Sequence, residues 1–373
     1  MKPISPCPKP SYVSLSTLTM AAAMSCGLLL TACGGGGGGG SSPAPAPTPT
    51  PVPAPPPPVA PPPPPAAGVS QADATADAAN ATESGLVTTA ATDEVFDSTV
   101  TLAGLVAAAS PGAAPRAHAQ QATAQGGVIT VTNVNVACPG GGTATLSISG
   151  GTLAGEENDV LDPGEDYTIT YTNCARATGF PQLNGQATLD VVSVSTDASP
   201  VTAVTITMTN LALTLAQGTI TANGAATLSR SSATSDGSTM TTSVITAGTT
   251  DAFTLATAFN SRTGSYSVTT LNATRTATST ASGPSGSSYS GTHTLAGTAN
   301  ARTFSFTSST NATTTYDASG APTAGDWTLV RSDATIRAVV AGGTVTLTSD
   351  DGSDGTIDNT WTFPVATLVA AAG

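Results

Sequence analysis

The stretch Val201-Thr-Ala-Val-Thr-Ile-Thr-Met-Thr-Asn-Leu-Ala-Leu-Thr-Leu215 decides the fold. Apolar residues alternate with threonine and asparagine, the period-two pattern of a strand with one face buried and the other in water. Threonine, valine and isoleucine suit a pleated surface better than a helix. The alternation is also present at Val128–Val136, Thr143–Ser149, Tyr167–Tyr171 and Ala187–Val194, and it continues to Leu368 with Gly, Asn, Asp and Pro marking the turns. The region 127–373 is therefore expected to be all-β, an antiparallel meander that curls into a barrel or a two-layer sandwich. Its length is compatible with one domain.

A weak repeat suggests an alternative. Gly142-Thr-Ala-Thr-Leu146, Gly185-Gln-Ala-Thr-Leu189 and Gly224-Ala-Ala-Thr-Leu228 share one pattern, Gly343-Thr-Val-Thr-Leu347 is close to it, and Gly264-Ser-Tyr-Ser-Val268 falls one spacing after Gly224. A unit of about 40 residues would suit the blade of a β-propeller. Composition offers a competing explanation, because Ala, Thr and Gly are abundant enough here to match by chance.

Upstream of the β region, Val95, Thr99, Leu102 and Val106 recur at helical spacing. One short helix over roughly 84–109 is expected, ended by Pro111 and Gly112. The run 113–126 reads as a disordered linker and carries His118; region 69–126 as a whole is rich in Ala and Thr. Before it, Pro43 to Pro65 alternate with small residues, a composition that holds an extended polyproline II form, and Gly34 to Gly40 form a glycine run. Residues 33–68 thus read as a spacer.

The amino terminus has the parts of an export leader: Lys2 and Lys9, a short apolar segment Met20 to Leu30, and small residues at its end. The order Leu30-Thr31-Ala32-Cys33 resembles a bacterial lipobox. That resemblance implies removal of 1–32 as a signal peptide, a diacylglycerol thioether on Cys33, and acylation of the new amino terminus, as by palmitate. Gly34 after the cysteine implies sorting to the outer membrane, with the chain on its periplasmic or cell-surface face. Several acyl chains hold a protein to a membrane where one binds reversibly.

Residues 137–190 contain Cys138-Pro-Gly-Gly-Gly, an acidic turn from Glu156 to Glu165, the strand Tyr167–Tyr171, Asn173-Cys174 and Leu183-Asn184-Gly185. Together with the acidic run Asp350 to Asp358 before Trp361, this is similar to uncharacterised proteobacterial lipoproteins with a Thr/Ser-rich β domain. The resemblance carries no activity with it.

Loss of the leader removes both lysines, leaving eight arginines against 23 acidic residues and a formal charge of −15. Such a balance opposes binding to nucleic acid or to anionic lipid, which require basic patches. Cys7 and Cys26 leave with the leader and Cys33 is the lipid site, so Cys138 and Cys174 remain. Two thiols in an exported chain read as one disulfide, with free buried thiols or a metal pair as alternatives.

Residues with chemistry are few. Taking Asp350 as the first position of a calcium loop places Asp354 fifth, Gly355 sixth, Thr356 seventh and Asp358 ninth. Gly352 and Trp361 stand where further ligands belong, and a solvated hairpin turn has the same composition. Glu156, Asn158, Asp162 and Glu165 give a poorer frame. Calcium is the one ion candidate. A Ser-His-Asp arrangement would have to use His293, which in Gly291-Thr-His-Thr-Leu295 reads as an exposed strand residue. No nucleophile elbow, zinc-binding HExxH or phosphate-binding loop occurs. Trp327, Tyr316, Tyr289, Tyr266 and Trp361 are candidates for stacking on a glycan, although aromatic strand residues more often face a core.

The chain thus reads as a lipid-anchored lipoprotein that displays a non-catalytic, structural or binding β domain in the cell envelope, with a cell-wall or surface glycan or a protein as partner. The alternative is a glycan-active envelope enzyme using paired carboxylates.

Overall fold

Period-two alternation is realised as one antiparallel ladder. The structure, a computed structural model, describes residues 68–108, 129–151, 161–195, 201–215, 218–248, 253–259, 262–280, 283–318 and 320–371. The strands are β1 (Ile129–Ala137), β2 (Thr143–Gly150), β3 (Glu165–Cys174), β4 (Gln182–Val194), β5 (Val201–Leu215), β6 (Gly218–Ser235), β7 (Ser238–Ala247), β8 (Phe253–Phe259), β9 (Arg262–Thr280), β10 (Gly283–Ala299), β11 (Arg302–Tyr316), β12 (Pro322–Val330), β13 (Ala334–Ala341), β14 (Thr344–Asp351) and β15 (Asn359–Pro364). They form a 15-stranded sheet in which neighbours in sequence pair almost throughout. Between the long strands β6 and β9 the place of one strand is shared by β7 and β8, which pair with successive parts of both.

The expected all-β meander is therefore present, and the propeller is not: one continuous ladder replaces separate blades. The glycine pattern does not mark equivalent places. Gly142 and Gly343 lie in the turns before β2 and β14, whereas Gly185 and Gly224 lie inside β4 and β6.

Ahead of the sheet stands α1 (Gln71–Ala108), 38 residues long. The short helix expected over 84–109 begins 13 residues earlier. Ser70 starts it, its hydroxyl accepting from the Asp73 N–H at 3.1 Å and donating to the Asp73 carboxylate at 2.7 Å. The opening stretch, Gln71-Ala-Asp-Ala-Thr-Ala-Asp-Ala-Ala-Asn80, has good helix formers and no apolar stripe, so hydrophobic spacing gives no signal there.

This helix touches β1, β4, β5, β6, β7, β9, β10, β12, β13 and β14, so the sheet curls around it. Burial on all sides follows: Ala74, Asp77, Ala78, Ala81, Thr88, Thr89, Thr92, Val95, Thr99 and Leu102 are all buried. Threonine hydroxyls survive this burial by bonding back to their own helix: Thr88 to the Ser84 carbonyl at 2.7 Å, Thr92 to Thr88 at 2.8 Å and Thr99 to Val95 at 2.8 Å.

Curling needs local kinks. In β5, Val204, Ile206 and Met208 face inward, and so do Leu211 and Leu213, which changes the parity at Asn210. Asn210 has φ 47° and sits where the register with β6 shifts. Asn133 and Thr270, at φ 53° and 51°, lie at comparable shifts in β1 and β9. Such bulges bend a strand and increase its twist, and asparagine tolerates the left-handed conformation they require.

A second helix, α2 (Val365–Ala371), follows β15 and packs on α1, correcting the expectation that strand pattern continues to Leu368. Leu368 is buried there. Among the described residues no helix is long and apolar enough to cross a membrane. Outward strand positions carry hydroxyls at Thr303, Ser305 and Thr307 in β11 and at Thr170 and Thr172 in β3, and apolar side chains at Val192, Met240 and Val330.

Candidate functional site

Residues with ionisable chemistry converge along α1 and not at the surface turns. Its acidic side chains meet arginines from the sheet. Asp77 is fully buried and receives Arg302 at 3.1 Å and Arg331. Asp73, at the edge, meets Arg302 at 2.9 Å. Asp93 receives Arg275 at 2.7 Å and the Ser243 hydroxyl at 2.6 Å. Glu94 receives Arg176 at 2.9 Å, and Asp97 receives Arg230 at 2.8 Å. Five of the eight arginines in the sequence are used in this way.

Each arginine is aimed by its strand or by a turn. Arg230 follows Ala226 and Leu228 on the inward face of β6 and lies over the Phe96 ring at 5.0 Å. Arg275 sits between inward-facing Ala273 and Ala277 in β9. Arg302 opens β11, ahead of buried Phe304 and Phe306, and Arg331 follows β12. Arg176, beyond the end of β3, is held over the Phe180 ring at 4.1 Å.

At two of these carboxylates burial outweighs pairing. Loss of hydration raises the Asp77 carboxyl, with Arg302 and Arg331 opposing. The Glu94 carboxyl is pushed up to about 7 by burial, with Arg176 opposing and Asp97 adding to the rise.

His293, expected on the exposed side of its strand, is 1% exposed. It shares the inward face of β10 with Leu295 and Tyr289. Its Nε2 lies 3.2 Å from the Ser84 hydroxyl and its Nδ1 lies 3.3 Å from the Tyr289 hydroxyl. Burial lowers its pKa to about 4, so the ring is neutral at pH 7. The Ser–His contact joins helix to sheet in the interior, with a neutral phenol where a nucleophilic triad has a carboxylate. Nearby, Asn80, Glu83, Ser84, Val87, Leu255, Thr257 and Tyr266 line a gap of about 10 Å³, roughly the room one water needs.

Cys138 and Cys174 form the expected disulfide, with Cα atoms 5.5 Å apart. The turn after β1 and the end of β3 also bond to each other, Gly140 N–H to the Ala175 carbonyl at 2.8 Å and Ala175 N–H to Gly141 at 3.0 Å. Gly142 must be glycine: at φ +78°, an added Cβ would lie 2.0 Å from the Asn173 carbonyl oxygen.

In the carboxyl-terminal acidic turn the carboxylates serve the backbone. Asp350 accepts from the Asp354 and Gly355 N–H groups, both at 2.9 Å, Asp354 accepts from Thr356 at 2.8 Å, and Asp358 accepts from Asp351 at 2.7 Å. Among the described residues no three His, Cys, Asp or Glu side chains converge as metal ligands. Of the other acidic turn, Glu156 and Asn158 lie outside the described residues, while Glu165 is buried and accepts from Asp162 N–H at 2.8 Å and from the Tyr167 hydroxyl at 2.7 Å. Asp166 and Asp190 stand opposite each other on β3 and β4, and their mutual hydrogen bond raises the Asp166 carboxyl to about 6.

Of the stacking candidates, Trp327, Tyr316, Tyr289 and Tyr266 are buried, and Trp361 packs partly buried against the core. Cys33 and His118 lie outside the described residues. The helix acids and their arginine partners were not singled out from the sequence. The available signal was parity, since Arg230, Arg275 and His293 each share the inward face with neighbouring apolar residues. Comparison with family models, with curated proteins and with solved structures gave no match.

Proposed function

We propose that this chain is a lipid-anchored protein of the cell envelope whose β domain is displayed on a glycine- and proline-rich stalk and acts by binding or as a structural element, without catalysis. The observation that carries the reading is the order of segments: leader, Leu30-Thr31-Ala32-Cys33, spacer, then α1 entering its sheet. The spacer residues Pro43 to Pro65 would reach roughly 70 Å in the extended form, enough to hold the domain clear of a membrane surface.

The use of ionisable groups supports the non-catalytic part. Asp77, Asp93, Glu94, Asp97, Arg176, Arg230, Arg275, Arg302 and Arg331 bind helix to sheet, and His293 bonds within the interior. The outward hydroxyls give the displayed surface a hydrogen-bonding character suited to a glycan or polar protein partner.

Intact mass of the protein extracted from bacterial membranes tests the anchor. The expected mass is that of 33–373 plus a diacylglyceryl thioether and an acyl chain, and Cys33→Ser should shift the protein to the soluble fraction. Retention of 1–32, or an unmodified chain at Ala32/Cys33, would refute it.

A further inference from the structure

A helix buried on all sides is ordinarily apolar all round. α1 is not. Its buried residues include Asp77, Asn80, Ser84, Thr88, Thr89, Thr92, Asp93, Glu94, Ser98 and Thr99. The inner face that receives it is largely apolar but also buries Arg176, Arg275, His293 and Ser243, with Arg230 partly buried beside them. The helix surface would accept water if it left the sheet, whereas the apolar residues of the inner face require an occupant. Complementary charge gives the match its specificity: carboxylates at 73, 77, 93, 94 and 97 meet guanidinium groups near the start of the helix and again past its middle. The rise of the Asp77 and Glu94 carboxyls shows that insertion dehydrates charge, which favours release.

We propose that the inner face of the sheet is a receptor for an acidic, small-residue helix, and that its partner, besides the chain's own α1, is the α1 of a second copy. Sequence length permits the exchange. Residues 109–128 join α1 to β1; they can span about 66 Å, whereas α1 itself is about 57 Å long. Exchange of one identical element gives a closed dimer with every ion pair kept. The inference stands on the helix–sheet geometry alone and does not depend on the lipid anchor.

The test uses chains in which Cys7, Cys26 and Cys33 are replaced by serine and one cysteine is added in place of Asp73 or of Arg302, whose side chains meet at 2.9 Å. The variants Asp73→Cys and Arg302→Cys are co-expressed with different tags and treated with a short bismaleimide. Exchange predicts a mixed dimer well above the level given by Asp73→Cys with Ser235→Cys, a hairpin position remote from Asp73. The double variant Asp73→Cys/Arg302→Cys reports the crosslink within one chain. A second pair needs no crosslinker. One chain carries Asp77→Arg and Asp93→Arg, the other Arg331→Asp and Arg275→Asp, so all four pairs are complementary only when the helices are exchanged. Exchange predicts that co-refolding restores a cooperative melt and a dimeric mass absent from either chain alone. A mixed crosslink no stronger than the control, with a co-refolded sample equal to the sum of its parts, overturns the proposal.

Discussion

Asp77 of α1 and Arg331, just beyond β12, form an ion pair in which the carboxylate is fully buried and a second guanidinium, Arg302, bonds its other oxygen. This relationship sets the energetics of the fold. A buried pair is a weak source of net stability, yet breaking it leaves an uncompensated charge inside. Asp77→Ala is therefore expected to destabilise by about 3–5 kcal/mol, read as a lower urea midpoint at unchanged slope. Asp326 and Arg337 pair on the exposed side of β12 and β13, where water screens the charges, and their removal should leave the urea midpoint nearly unchanged.

Gly85 offers a test in which propensity and packing have opposite signs. In an exposed helix Gly→Ala stabilises by about 1 kcal/mol. Here an added Cβ would lie 2.5 Å from the Tyr289 hydroxyl. Gly85→Ala should instead destabilise by about 1–3 kcal/mol, with a smaller loss when Tyr289→Phe removes the nearest atom. Thermal melts of the single and double variants decide it.

Reading the sequence located the strands because their faces differ. Val201–Leu215 and Tyr167–Tyr171 alternate, and both became strands at those places. The first third of α1 was not legible, since Asp73, Asp77 and Asn80 look solvated and only the enclosing sheet makes Asp77 and Asn80 interior residues. Parity would have placed Arg230, Arg275 and His293 inward, but no local pattern says that a charged or imidazole side chain will find its partner 82 to 254 residues away, as Glu94 finds Arg176 and Asp77 finds Arg331. The turn residues of 350–358 were legible as a turn, with their carboxylates on backbone N–H groups.

The disulfide closes a separation of 36 residues. In the chain-entropy model its loss costs up to about 4 kcal/mol. Cys138→Ser/Cys174→Ser should lower the melting temperature by several degrees, and the oxidised wild type should do the same on addition of reductant.

Stability should depend on pH through Glu94 and His293. The Glu94 carboxyl lies at about 7 in the folded chain against an ordinary 4.5. The folded state thus holds the proton more tightly, and this contribution is present at low pH and is lost as pH rises through 7. His293 has the opposite sign: at about 4 against an ordinary 6.5, its contribution is lost as pH falls from 6.5 towards 4. The urea midpoint should therefore fall between pH 6.5 and 8, and Glu94→Gln should flatten that limb. An unchanged slope in Glu94→Gln would remove Glu94 as its cause.

The central claim is that opposite charges hold α1 inside the sheet. A double-mutant cycle on Asp93→Ala and Arg275→Ala, followed by urea unfolding, measures it most directly, because the two groups meet at 2.7 Å with both side chains buried. The account predicts a coupling of about 2 kcal/mol or more between them, within the range for contacting residues in one network. A coupling below about 0.5 kcal/mol, with the single losses simply adding, would contradict it.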